Sequence, residues 1–113
     1  MSTVGDSSDL SNCSASEPFA LRVIGDDMAP EFRDGHIIVI DPGGLVVSGC
    51  YVIARLGDDM IFRQLLADGE QWTLHALDSA IDDIPMPNGL TDIVGVVSQR
   101  SGKRRSEHKR YDL

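Results

Sequence analysis

Apolar residues in this chain fall into short runs separated by turn-forming residues, and no segment sustains the 3.6-residue period of an amphipathic helix. The runs Phe19–Ile24, Ile37–Asp41, Cys50–Arg55, Met60–Leu66, Gln71–Leu77 and Ile93–Gln99 each read as a strand. Ile37 to Ile40 is apolar throughout, the pattern of a strand covered on both faces. Pro42-Gly43-Gly44 closes the second run, Leu56-Gly57-Asp58-Asp59 turns the third into the fourth, and Asp68-Gly69 signals a tight hairpin into the fifth. Pro85 and Pro87 exclude helix from Asp78–Asn88, which reads as a loop. The pattern predicts a mostly-β domain, a meander of short strands with at most a short helical turn. No internal repeat or coiled-coil period is present.

The densest punctuation lies between the first two strands. Gly25 tolerates unusual backbone angles, Pro30 biases Ala29 away from helix, and Asp34-Gly35 is a turn pair. A strand therefore ends in a shaped turn that presents Asp27. The stretch Val23-Ile24-Gly25-Asp26-Asp27-Met28-Ala29-Pro30, followed by Asp34-Gly35-His36 and the apolar run to Asp41, resembles the signature of the LexA and signal-peptidase superfamily. That signature reads V-x-G-x-S-M-x-P, then D-G-D and an apolar strand ending in Asp. Gly25, Met28, Pro30, Asp34, Gly35 and Asp41 match in register, whereas Asp27 stands where the family keeps its serine nucleophile. Asp59-Met60-Ile61-Phe62-Arg63-Gln64-Leu65 looks like the family strand that carries the general-base lysine, with Arg63 at the lysine position. Ile93-Val94-Gly95-Val96-Val97 resembles the closing strand. The resemblance covers Phe19 to Gln99 and implies the LexA/signal-peptidase β-ribbon fold.

A serine–lysine dyad needs a lysine whose apolar pocket makes it neutral enough to accept the serine proton. Arginine stays protonated and cannot serve as that base. No Ser, Thr or Cys lies between Ser16 and Ser48, and the only lysines are Lys103 and Lys109, so the dyad cannot be rebuilt nearby. A Ser-His-Asp arrangement would need Ser48, Ser79 or Ser98 beside His36 or His75, and none of these serines sits in a Gly-x-Ser-x-Gly elbow. No catalytic residue is expected. Arg63 shares a strand face with Ile61 and Leu65, and a charge on an apolar face calls for a partner. The family geometry supplies Asp27, with Asp26 as a competitor; the alternative is an edge position where Arg63 reaches solvent along its stem. Gly25, Asp26, Asp27, Met28 and Arg63 are thus the candidate binding residues. Met28 reads as core or pocket wall, His36 as an exposed turn residue, and Trp72 as half-buried packing.

Composition narrows the picture. A chain of 113 residues builds one modest core. Residues 1–18 hold six serines with Asp6, Asp9 and Glu17, and read as a disordered arm too short for a helix-turn-helix domain. Residues 19–99 form the LexA-like domain. Residues 1–99 carry 4 basic and 16 acidic side chains and 100–113 carry 6 basic and 2 acidic, so the end reads as a basic tail on an acidic body. That tail alone invites nucleic acid. Cys13 and Cys50 lack metal-ligand spacing and read as free thiols; neither they nor the histidines suggest a metal, and no cofactor is expected. No run spans a bilayer and no signal peptide is visible, which points to a cytoplasmic protein.

The resemblance implies a catalytically inactive, peptidase-like bacterial regulator that acts as a protein-binding or dimerisation module. A homodimer is expected, with a protein or peptide partner in the cleft and no membrane partner. The alternatives are a serine-type self-cleaving or peptide-hydrolysing enzyme with an unrecognised nucleophile, and a fragment of a transcription regulator.

Overall fold

The computed structural model describes residues Glu17–Tyr111, so the disordered arm expected over 1–18 and the thiol of Cys13 lie almost wholly outside the described residues. Eight strands form one antiparallel sheet: β1 (Phe19–Arg22), β2 (Ile37–Asp41), β3 (Tyr51–Leu56), β4 (Asp59–Asp68), β5 (Gln71–His75), β6 (Ile84–Met86), β7 (Ile93–Ser101) and β8 (Lys109–Arg110). Their order is β1-β2-β7-β3-β4-β5-β6, with β8 also paired to β7. Among the described residues two short 3-10 turns, Gly89–Asp92 and Arg105–Glu107, interrupt the strands. The mostly-β expectation holds. Among the described residues no helix is long and apolar enough to cross a membrane.

The meander β3-β4-β5 follows from its turns. Leu56 pairs with Asp59 and Asp68 with Gln71, which leaves two-residue loops led by Gly57 and Gly69, each at φ +65°. A leading glycine with positive φ gives a hairpin twist that suits right-handed strands. β7 is the central strand and pairs with β2 and β3 across two register shifts. Gly95 sits at that crossing, where an added Cβ would lie 2.6 Å from Ile40 Cγ2. The close approach of β2 requires glycine there.

Alternation sends the strands' side chains to two cores. Leu21, Ile38, Ile40, Ile53, Phe62 and Val97 pack with Met28 and Phe32 from the loop after β1. Val52, Ala54, Leu65, Leu74 and Val96 pack on the other side with Cys50 and Met86. β3 is therefore buried on both faces, and the Cys50 thiol, free and buried, is pushed up in pKa by its desolvation. Trp72 is half-buried beside the second core, as its place on a hairpin strand suggests.

Three expectations fail. β2 is not covered on both faces: Ile38 and Ile40 are buried in the first core, but Ile37 is exposed and Val39 half-buried on the other face. Asp78–Asn88 is not loop throughout, because Ile84–Met86 pairs with β5; Pro85 is tolerated since β6 is an edge strand. Nor are residues 100–111 a tail beyond the domain. β7 runs to Ser101, the chain turns through Arg105–Glu107, and β8 returns along β7. Tyr111 reaches the first core, its ring centroid 5.4 Å from Phe32 and 5.6 Å from Tyr51.

Glu31 fastens this return. Its carboxylate accepts from Lys109 Nζ at 2.8 Å and from Tyr111 Oη at 2.6 Å, and Arg100 Nη1 donates to its backbone carbonyl. Burial pushes the Glu31 carboxyl up, but the hydrogen bonds from Lys109 and Tyr111 and the nearby cationic charges outweigh it and hold it below its ordinary 4.5. A carboxyl lowered on folding stabilises the fold above its unfolded pKa and loses that contribution as pH falls through its folded pKa. Glu31→Gln should therefore lower the melting temperature near neutral pH, with the gap from the unmodified protein closing below about pH 4.5. Thermal melts of both proteins across acidic pH check this; a gap independent of pH would contradict it.

Candidate functional site

After Arg22 the chain leaves the ladder but stays tied to β2: Val23 N donates to His36 O and Gly35 N to Val23 O, both at 2.8 Å. Gly25, at φ +90°, turns the backbone so that its N–H meets Asp34 Oδ1 at 2.7 Å. A tight helical turn follows, with Ala29 N donating to Asp26 O and Phe32 N to Met28 O. Met28 and Phe32 point into the core, and Asp27 is left outward, its own carbonyl accepting from Asp78 N at 3.0 Å.

Arg63 arrives from β4, where it pairs with Val52. Its Nη2 lies 3.4 Å from Asp27 Oδ2, and Nη1 donates to Phe62 O at 2.8 Å. The guanidinium side chain is 13% exposed against 50% for Asp27, and Arg63 Nε is buried without a partner. The structure thus brings Asp27 and Arg63 together at ion-pair distance, without a short hydrogen bond between them. Asp26 makes no ion pair with Arg63 among the described residues and stays exposed.

Both charges border a cleft of about 260 Å³ between β1 with its turn and the first half of β4. Leu21, Val23, Met28, Ile38, Ile53 and Phe62 form its apolar wall. β5 pairs with β4 only from Gln64 onward, so the backbone of Asp59–Arg63 has a free edge facing that space. Of the candidate residues, Gly25, Asp27, Met28 and Arg63 line it; Asp26 does not.

His36 corrects the sequence reading. It is 6% exposed, its Nδ1 accepts from Arg33 N at 2.9 Å, and Nε2 lies 2.9 Å from Glu107 Oε1. An Nδ1 that accepts places the neutral ring's proton on Nε2, donating to Glu107. That bond also anchors Glu107, whose carboxyl is held below its ordinary range first by His36 and then by the Arg104 N–H. The signal was available: His36 is in phase with the inward Ile38 and Ile40. Elsewhere, His75 Nδ1 meets Asp83 Oδ1 at 2.7 Å, away from this cleft. No group of three or more potential metal ligands occurs among the described residues.

Against this geometry, a family model described as Peptidase S24-like matches residues 5–98. The chain belongs to that family. It is 43% identical over 88 residues to HTH-type transcriptional regulators for the conjugative elements SXT, from Vibrio cholerae, and pMERPH, from Shewanella putrefaciens. Those alignments cover 72% of this chain and 40% of each relative. Prophage repressor CohE of Escherichia coli is 37% identical over 97 residues, covering 80% of this chain and 42% of the relative. The chain spans less than half the length of the curated relatives it matches.

The exposure of Asp27 sets the energetics. An ion pair open to solvent on one side contributes about 0–1 kcal/mol, well short of the roughly 3–5 kcal/mol at stake when a buried pair loses one partner. Asp27→Ala should lower stability by no more than about 1 kcal/mol. Arg63→Met keeps the apolar stem and removes an unsatisfied buried N–H, so it should be neutral or stabilising. Urea denaturation of the two variants checks both; a loss of several kcal/mol in Asp27→Ala would mean that the pair holds the turn.

Proposed function

We propose that this chain is the S24-type core of a transcription-regulating repressor, and that it acts through self-association and peptide binding rather than peptide-bond cleavage. One observation carries the non-catalytic part: the nearest acidic oxygen to the Arg63 guanidinium, at 3.4 Å, belongs to Asp27, so the cleft pairs a carboxylate with a permanent cation. Neither group supplies an alkoxide nucleophile, and arginine cannot deprotonate one. Among the described residues, the cleft lining includes no Ser, Thr, Cys, Lys or His. The regulatory part is supported by the relatives, whose names describe transcriptional regulators and a prophage repressor.

The same cleft retains what strand addition needs. It offers a free strand edge at Asp59–Arg63, an apolar wall, and two opposite charges at its mouth. Self-association fits a small sheet with unpaired edge strands to protect, β1, β6 and β8 among the described residues. The protein works in the cytoplasm on this reading, as a homodimer without cofactor.

The unmodified protein should show neither self-cleavage nor labelling by serine-reactive phosphonate probes. Asp27→Ser alone should stay inert because Arg63 cannot act as base, and Arg63→Lys alone because its lysine would pair with Asp27. Probe labelling of the unmodified chain would overturn the non-catalytic reading. Sedimentation equilibrium at micromolar concentrations tests the second half, with a dimer expected and a monomer at every concentration counting against it.

A further inference from the structure

We propose that the folded-back C-terminal segment forms a preorganised cationic groove for the phosphate backbone of duplex DNA. The proposal does not depend on whether the Asp27–Arg63 cleft is catalytic. Charge is sharply divided along the chain, with 4 basic and 16 acidic residues in 1–99 against 6 and 2 in 100–113. In a free tail those cations would be dispersed and costly to order on binding. Here the segment is held in place. Arg100 and Lys109 bind Glu31, Tyr111 enters the core, and Glu107 bonds to buried His36.

Two adjacent depressions result, and Arg104 belongs to both. One, of about 610 Å³, is lined by Arg33, His36, Arg100, Arg104, Ser106 and Glu107, with Pro30. The other runs along Ser101–Arg105 to His108. Among the described residues Glu107 is the single carboxylate in either lining, and its two oxygens are already engaged by His36 and by the backbone N–H of Arg104. Arg33, Lys103, Arg104 and Arg105 are exposed, and none is in an ion pair among the described residues. They are cations waiting for an external anion.

The chemistry of the lining selects among polyanions. Arginine forks and a serine hydroxyl match phosphate oxygens. Among the described residues no Phe, Tyr or Trp lines either depression, and His36 is buried, so there is little platform on which the bases of a single strand could stack. Among the described residues Pro30 is the one apolar side chain of any size in the linings, so this surface offers little of the apolar anchor that an acidic protein partner would use. Backbone phosphates need no such anchor, and the acidic remainder of the chain repels DNA so that only this face can approach.

Removing residues after Gln99 is a poor test, because it strips Arg100 and Tyr111 from the fold. The full chain is used instead, with a labelled DNA duplex followed by fluorescence anisotropy over a salt series. Binding should be weak, independent of sequence and steeply salt-dependent. Each phosphate contact adds about 0.9 to the slope of log K against log salt. Arg104→Ala with Arg105→Ala should lower that slope by about two, whereas Arg22→Ala with Arg55→Ala, exposed cations elsewhere, should leave it unchanged. Thermal melts confirm folding, and Lys103→Glu provides a second exposed change expected to weaken binding. Failure of the unmodified chain to bind at low salt overturns the proposal, as does an equal loss in the Arg22/Arg55 variant. Displacement of the duplex by poly-glutamate at equal charge concentration would likewise overturn it and assign the groove to an acidic protein surface.

Discussion

Between Val23 and His36 the chain leaves the sheet, and every buried backbone group in that loop must find a partner outside a ladder. The solution draws on three parts of the fold. The loop's own end, just before β2, supplies the Asp34 carboxylate for Gly25 N and the His36 ring for Arg33 N. The loop after β5 gives its Asp78 N–H to Asp27 O, and the C-terminal return gives Arg100 to the Glu31 carbonyl. Asp27 is consequently presented by a backbone fixed at both ends and in the middle. Side-chain position at the cleft is inherited from that frame rather than from the ion pair itself.

The C-terminal return is then part of the site's support. Phe32, fully buried, meets Tyr51 and Phe62 edge-on at 4.7 and 4.8 Å and is covered by Tyr111. One residue earlier, Glu31 collects Lys109 and Tyr111, so an apolar and a polar clasp lie side by side. Desolvating the Tyr111 phenol and hydrogen-bonding it to a carboxylate both raise its pKa, which keeps it a donor over the whole physiological range. A change that loosens residues 109–111 would reach the signature turn directly, through Glu31 and Phe32.

Much of this was legible in the sequence, and the reasons differ by element. β2, β3 and β4 announced themselves because they are long, apolar and bounded by glycine turns. The Asp27–Arg63 proximity came from the match to a family signature; nothing in local pattern links positions so far apart. β6 and β8 were not legible, since Ile84–Met86 contains a proline and Lys109–Arg110 has no apolar residue at all. Both owe their strand state to a neighbour's free edge, which is a tertiary cause. His36 was misread through its turn-like neighbours Asp34-Gly35, although its phase with Ile38 and Ile40 placed it inward. Glu31's role depends on partners some seventy to eighty residues away, as the Arg100, Lys109 and Tyr111 bonds show, and no local signal encodes that.

Arginine at position 63 suits the wall of the cleft. Guanidinium is more weakly hydrated than ammonium, and its charge is delocalised, so it tolerates a nearly buried position with only partial pairing. Here one Nη reaches Phe62 O, the other approaches Asp27, and Nε goes without. A lysine in the same place would concentrate its charge on one strongly hydrated nitrogen, and desolvation would favour losing the proton unless a carboxylate stood beside it. The two positions are therefore coupled: Asp27 keeps a cation charged, whereas a serine there would leave a lysine free to become neutral. On the reading proposed above, Asp27 with Arg63 forms an ion pair at positions where serine with lysine would form a proton-accepting pair.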